Sequence, residues 1–130
     1  MRFLPLGLSA VAAISIVMPL RAAEAPHITQ AELTKAIDAK TVVLLDVNGT
    51  ESYQAAHIPG ALNFEAVGGN LKNILPADKK ALIVAYCGSE MCGAYKAGVQ
   101  AAEKLGYTNV KHFAPGIKGW VESGAKTEKG

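Results

Sequence analysis

Arginine is nearly missing from this chain of 130 residues, in which Arg2 and Arg21 are the only two. Without them, 11 of the 13 basic residues remain, all lysine, against 11 acidic residues. That balance excludes the strongly basic surface with which proteins bind nucleic acids or anionic membranes. A bidentate guanidinium, the side chain best suited to a bound oxyanion, is also excluded from everything after residue 21.

Cysteine is scarce too, and Cys87 and Cys92 are five positions apart. A bond between them would close a loop too small to stabilise the fold much, so reactivity explains the pair better than stability does. The Cys-x4-Cys spacing is not that of a zinc finger, and the chain has no Cys-x-x-Cys-His haem motif. We therefore expect no metal and no cofactor.

The first 25 residues have the pattern of a secretory signal peptide. Arg2 is followed by an apolar stretch from Leu6 to Met18, then by Pro19 and a cluster of alanines. We expect cleavage between Ala22 and Pro26, a periplasmic or secreted product, and no stable membrane span; an uncleaved anchor is the alternative. The remaining chain would be one monomeric domain over residues 26–125, followed by a short polar tail over 126–130.

Within that domain, strand and helix patterns alternate, which predicts an α/β fold of three layers, α/β/α, around a parallel sheet. Buried strands are predicted over 42–46, 61–64, 81–86 and 110–113, with a short one near His27 and Ile28, five in all. Thr29 and Glu32 form a capping box that begins a helix. Further helices are predicted over 50–56, 71–75 and 94–105, the last ending at Gly106, and from Gly116 onward.

Cys87 is the most informative residue because it follows the buried strand 81–86 directly. Ligands of open α/β sheets bind beyond the carboxyl ends of such strands. The loop after Cys87 leads into a helix, whose N-terminus lowers the pKa of a nearby thiol. The alternative is an inert core cysteine.

Four motifs in this order resemble the single-domain rhodanese-like sulfurtransferases, over residues 27 to about 123. They are Leu45-Asp46-Val47 with Glu51 and Tyr53; residues 56–63; Tyr86-Cys87 with its loop, ahead of Leu105-Gly106-Tyr107; and Gly116-Ile117-Lys118-Gly119-Trp120. The resemblance implies a five-stranded parallel sheet and a catalytic Cys87 that carries sulfane sulfur as a persulfide. A small donor such as thiosulfate would load it, and cyanide, a small thiol or a protein thiol would unload it.

The loop backbone is expected to form the cradle for that sulfur, because converging N–H groups bind anions. The cradle residues are Gly88, Ser89, Glu90, Met91 and Gly93, with Ser89 and Glu90 at the pocket mouth. The resemblance gives Asp46 a supporting, structural role and places His57 away from the sulfur chemistry. Trp120 is expected to anchor the last helix or to wall the pocket.

Two positions depart from the family pattern. The first motif usually ends in arginine, where this chain has Asn48, and many active members close the loop with arginine, where it has Cys92. Poor turnover of thiosulfate is therefore expected, with Lys96 and Lys118 as the nearest candidate cations. Related phosphatases have a longer loop, a histidine before the cysteine and a closing arginine, so phosphatase activity is not expected.

Cys92 has three interpretations: a small apolar filler, a resolving thiol that displaces sulfur from Cys87, or a partner that protects Cys87 by pairing with it. Three classes of function follow. The first is an exported sulfurtransferase, the second a sulfur carrier or thiol–disulfide module that uses Cys87 and Cys92, and the third a non-catalytic binding module that keeps the fold.

Overall fold

The computed structural model describes residues 24–130, together with Gly7, Ala12 and Ala13. The predicted signal peptide lies almost entirely outside these residues. No helix in the described part of the chain is long and apolar enough to cross a membrane.

The helices and strands alternate as the sequence pattern predicts. In chain order they are α1 (Gln30–Asp38), β1 (Val42–Asp46), α2 (Thr50–Ala55), β2 (Leu62–Asn63), α3 (Phe64–Val67), α4 (Leu71–Ile74), β3 (Leu82–Tyr86), α5 (Tyr95–Lys104), β4 (Val110–His112) and α6 (Gly116–Glu122). A 3-10 turn over Gly68–Asn70 joins α3 to α4. The short helix α3 was not predicted; it begins at Phe64, where Asn63 accepts a hydrogen bond from the Glu65 N–H and so caps it.

Among the described residues, the sheet has four parallel strands in the order β2-β1-β3-β4, where five were predicted. At the position of the fifth, His27 forms only an isolated parallel bridge with His112. Two hydrogen bonds hold it, from Ile28 N–H to His112 O at 3.0 Å and from His112 N–H to Pro26 O at 2.9 Å. Pro26 has no N–H to donate, which is one reason why the pairing does not extend.

Alternate side chains of the central strands supply two separate cores, one on each face of the sheet. Leu45, Ile83 and Ala85 pack with α4 and α5, whereas Leu44 and Val84 pack with α1 and α6. Gly98 allows α5 to approach closely, since a Cβ there would lie 3.0 Å from a methyl group of Val47. The sheet is thus covered on both faces, and the residues that end its strands, such as Asp46, Tyr86 and His112, are buried as well.

The last five residues, predicted as a polar tail, are exposed and return to the domain. Glu128 and His57 exchange backbone hydrogen bonds of 2.9 Å in an antiparallel bridge. The Trp120 indole N–H donates to Lys126 O at 2.8 Å. Trp120 is buried against Phe113, as expected of an anchor for the last helix.

Candidate active site: the cysteine loop

Cys87 lies at the carboxyl end of β3, in the middle of the sheet. The strand is buried from Ile83 onward, and Cys87 itself is only 1% exposed. Asp46 at the end of β1 is in register with Tyr86, so the ends of the two central strands lie side by side. The loop that follows turns away from the sheet and enters α5 at Tyr95, one residue later than the predicted start at Ala94.

Cys92 lies directly against Cys87, and the two form a disulfide. Their Cα atoms are 6.2 Å apart, within the range that a disulfide can span. Cys92 is half-buried and also packs against the core on the α5 side of the sheet. The sequence spacing left this geometry open, and the structure shows that the two sulfur atoms are within bonding reach.

The start of α6 holds the beginning of the loop in place. The N–H of Ile117 donates to Cys87 O at 2.9 Å, and the N–H of Lys118 donates to Gly88 O at 3.0 Å. Gly116 makes this approach possible, because its φ is +64° and a Cβ there would lie 2.5 Å from Cys87 O. The Gly116-to-Trp120 motif therefore acts on the site through the backbone.

Two amides of the loop, of which only that of Met91 belongs to the predicted cradle, bond within the loop itself. The Cys92 N–H donates to Ser89 O at 3.0 Å, and the Met91 N–H donates to Ser89 Oγ at 3.3 Å. Gly88 and Ser89 are half-buried, whereas Glu90, Gly93 and above all Met91, which is 95% exposed, face solvent. In the disulfide form, the loop is thus organised around Ser89.

Asp46 is fully buried beneath the loop and is held by hydrogen bonds. The Tyr86 hydroxyl donates to its Oδ2 at 2.6 Å, and the Asn48 N–H donates to its Oδ1 at 2.9 Å. The same hydroxyl accepts the N–H of Ile58 at 3.0 Å. Burial raises the pKa of the Asp46 carboxyl, and these donors partly offset that rise. These contacts tie β1, β3 and the 56–63 motif together.

His57, near the start of that motif, contacts residues outside it. Its Nδ1 lies 2.8 Å from Tyr53 O, its ring stacks on the Tyr53 ring, and its Nε2 is 3.7 Å from a Glu128 carboxylate oxygen. These neighbours belong to α2 and to the tail. His57 is therefore held by α2 and the tail.

Two cavities flank the exposed tip of the loop, and each contains one of the two candidate cations. Lys96 lines a cavity of about 510 Å³ together with Cys92, and Lys118 lines another of about 340 Å³ together with Ser89. Glu90 and Met91 line both cavities. The two lysines are exposed.

A group of aromatic rings beside Cys92 was not predicted from the sequence. His112 at the end of β4 stacks on Tyr95, with ring centroids 3.3 Å apart, and His27 contacts its edge. His112 is buried, and neither of its ring nitrogens has a hydrogen-bond partner among the described residues. Burial, assisted by the nearby His27, lowers the pKa of His112 to about 4. The only sequence signal was a histidine at the end of a predicted strand.

Comparisons with known proteins find relatives that share this fold. The family model for the rhodanese-like domain matches residues 29–123. A human thiosulfate:glutathione sulfurtransferase is 29% identical over 113 residues, which cover 77% of this chain and 96% of that protein. A human single-domain sulfurtransferase of known structure is 26% identical, with a TM-score of 0.59 over 75% of this chain and 96% of its own.

A second curated relative has a different role. An HTH-type transcriptional regulator of Mycobacterium tuberculosis is 36% identical over 104 residues, which are 79% of this chain. The chain spans 45% of the length of that regulator.

Proposed function

The chain belongs to the rhodanese-like domain family, and we propose that it is an exported sulfurtransferase that carries sulfane sulfur as a persulfide on Cys87. The placement of Cys87 carries this proposal: it directly follows a buried central strand, and α6 fixes its backbone. The sulfurtransferase names of the two human relatives support the class of reaction.

The reaction needs only the thiolate of Cys87 and two small molecules. The thiolate attacks the outer sulfur of thiosulfate, the sulfur–sulfur bond of the donor breaks, and sulfite leaves with the bonding electrons. Cyanide or a thiolate then attacks the outer sulfur of the persulfide, which yields thiocyanate or a new persulfide and restores the Cys87 thiolate. The disulfide must first be reduced, since both sulfur atoms are engaged in it.

Thiosulfate is proposed to be a poor donor. The loop has a cysteine at position 92, and Asn48 lies beside Gly88 at the end of β1, so neither position offers a guanidinium. Lys96 and Lys118 are exposed, where solvent weakens their attraction for an anion. Glu90 lines both cavities beside these lysines, and its negative charge repels an anionic donor.

The test is persulfide formation measured by intact mass on reduced protein. Cys92→Ser, in which no second cysteine can displace the sulfur, should gain the mass of one sulfur atom after exposure to thiosulfate, and dithiothreitol should reverse the gain. Cys87→Ser should gain nothing. A Cys87→Ser variant that still loads sulfur, or a Cys92→Ser variant that never does with any sulfane donor, would overturn the proposal and leave the non-catalytic binding module.

The disulfide favours a second function on the same residues, in which Cys92 resolves the persulfide. The Cys92 thiolate attacks Cys87 Sγ, the bond from Cys87 to the outer sulfur breaks, and hydrosulfide leaves as the disulfide forms. Loaded wild-type protein should then release about one equivalent of sulfide with no added thiol, whereas loaded Cys92→Ser should release none. Equal release from both proteins would exclude this role.

Export is proposed from the sequence of residues 1–25, with a periplasmic or secreted location. Fractionation of cells that express the full chain, followed by N-terminal sequencing of the product, tests it. A mature N-terminus between Ala23 and Pro26 is expected. Full-length protein in the cytoplasm would contradict export without bearing on the sulfur chemistry.

A further inference from the structure

The two sulfur-bearing residues of the disulfide differ in their access to solvent. Cys87 is 1% exposed and packs into the core among residues of β3 and α5. Cys92 is half-buried and lines the cavity of about 510 Å³ described above, which we call the Cys92 cavity. Cys87 is not among the residues that line this cavity.

The side of Cys87 next to α6 is closed by backbone. Gly116 lies so near that a Cβ there would meet Cys87 O at 2.5 Å and Ser89 N at 2.8 Å. The amide of Ile117 is bonded to Cys87 O. A reagent from solvent therefore meets Cys92 first.

The wall of the Cys92 cavity suits a small organic molecule with a polar group. The stacked rings of Tyr95 and His112 supply an apolar surface, and Lys96 lies exposed beside them. His112 is about 95% buried in this wall with no hydrogen-bond partner among the described residues, so its ring is an unused polar group at the site. The volume lies within the range of small-molecule sites, from about 300 to 1,000 Å³.

We propose that the Cys92 cavity is the binding site of a small organic thiol that opens the disulfide by attacking Cys92. The attacking thiolate forms a bond to Cys92 Sγ, the Cys87–Cys92 bond breaks, and Cys87 leaves with the electron pair as a thiolate. A second thiol then attacks the sulfur of the bound thiol, which releases the small-molecule disulfide and leaves Cys92 reduced. Two thiols are oxidised while one protein disulfide is reduced.

The direction of attack agrees with the chemistry of thiol–disulfide exchange. Which sulfur is attacked depends on access as well as on the leaving group. Cys87 is only 1% exposed and does not line the Cys92 cavity, so access favours attack at Cys92. Attack at Cys92 thus releases Cys87 as the thiolate that the sulfurtransferase reaction needs. The inference deepens the proposed function, because it assigns the thiol co-substrate and its point of entry.

The regiochemistry can be read directly by mass spectrometry. The oxidised full domain is mixed with 2-mercaptoethanol, quenched with acid at early times and treated with N-ethylmaleimide. Cleavage after Glu90 then separates the two cysteines. The first adduct of 2-mercaptoethanol should be on Cys92, with maleimide on Cys87. A first adduct on Cys87 would overturn the inference.

A matched pair of glycine variants tests the route of entry. Gly93 lies in the cavity wall, whereas Gly69 lies outside the cavity. A side chain fits at either position, because no atom of the described residues, apart from the glycine and its chain neighbours, lies within 4 Å of a Cβ placed there. Gly93→Phe should slow opening by 2-mercaptoethanol by about tenfold, which is a rise in the barrier of about 1.4 kcal/mol, and Gly69→Phe should not change it. Equal rates for both variants would refute entry through the cavity.

Two further measurements separate the alternatives. A thioredoxin-type protein dithiol that opens the disulfide much faster than 2-mercaptoethanol, with no effect of Gly93→Phe, would replace the small thiol by a protein and overturn the inference. Persulfide loading of pre-reduced Cys92→Ser depends on Cys87 alone. Loading without attack at Cys92 would reject only this inference, whereas failure to load would reject the proposed function.

Discussion

Replacing His112 by phenylalanine should flatten the dependence of stability on pH. The imidazole is buried against Tyr95, and neither of its nitrogens has a partner in the described part of the chain. Burial lowers its pKa from the ordinary value of 6.5 to about 4, His27 adds to the shift, and Glu24 opposes it. Phenylalanine fills nearly the same volume, keeps the ring stack and cannot be protonated.

The direction of the effect follows from linkage. The unfolded chain protonates His112 near pH 6.5, whereas the folded chain resists protonation until about pH 4. The contribution of the neutral ring to stability is therefore complete above pH 6.5 and is lost as the pH falls toward 4. With these two pKa values, the loss between pH 7.5 and pH 4.5 is about 2.5 kcal/mol of unfolding free energy.

Urea unfolding at several pH values, with the disulfide intact throughout, measures that loss. The difference in stability between His112→Phe and wild type should grow by about 2.5 kcal/mol in favour of the variant as the pH falls from 7.5 to 4.5. Subtraction removes the other titrating groups, which both proteins share. His27→Gln is the control and should keep most of the wild-type pH dependence. Parallel curves for His112→Phe and wild type would refute the argument.

Three further predictions concern the loop and its support. Tyr86→Phe should lower the unfolding free energy by about 3 kcal/mol in urea, because Asp46 loses a donor within the core; an unchanged midpoint would contradict this. Gly116→Ala should lower the unfolding free energy by at least about 3 kcal/mol, and Gly124→Ala should lower it by about 1 kcal/mol. Both glycines have a positive φ, but only Gly116 is crowded by Cys87 and the residues next to it. Equal urea midpoints for the two variants would show that the contact with Cys87 is unimportant. Cys92→Arg should transfer sulfur from thiosulfate to cyanide about tenfold more efficiently than Cys92→Ser, which also lacks the disulfide, and equal rates would show that a fixed cation is not limiting.

The sequence carried enough information to predict the order of the elements and the two faces of the sheet. The apolar run before Cys87 and the alternation of strands with helices are local patterns, and burial in a parallel sheet follows from them. The fifth strand was wrong in extent. His27 and Ile28 have the residue types of a strand, but the pairing stops at a single bridge next to Pro26.

The arrangement of the site depended on contacts between distant residues, which no local pattern contains. The spacing of Cys87 and Cys92 does not fix the path of the loop, and that path depends on bonds from α6, about 30 residues further along. The stack of His112 on Tyr95 joins β4 to α5 in the same way. The sequence therefore singles out Cys87 as the candidate reactive residue, whereas the stacked rings beside Cys92 were not predicted.

The substitution at position 92 changes what the loop can do. In many active members of the family that the sequence resembles, an arginine at this position would hold an oxyanion next to the reactive sulfur. Cys92 removes that charge and places a second sulfur within bonding distance of the first.

A loop of this kind depends less on recognising an anionic donor than on a supply of reducing thiol, because every disulfide that forms must be opened before Cys87 can accept sulfur again. With the proposed export and the proposed entry of thiol through the cavity beside Cys92, access for that thiol is expected to limit turnover. Activity should accordingly rise with the concentration of thiol in wild type but not in Cys92→Ser assayed with cyanide, and equal thiol dependence of the two proteins would show that the second cysteine has no part in the cycle.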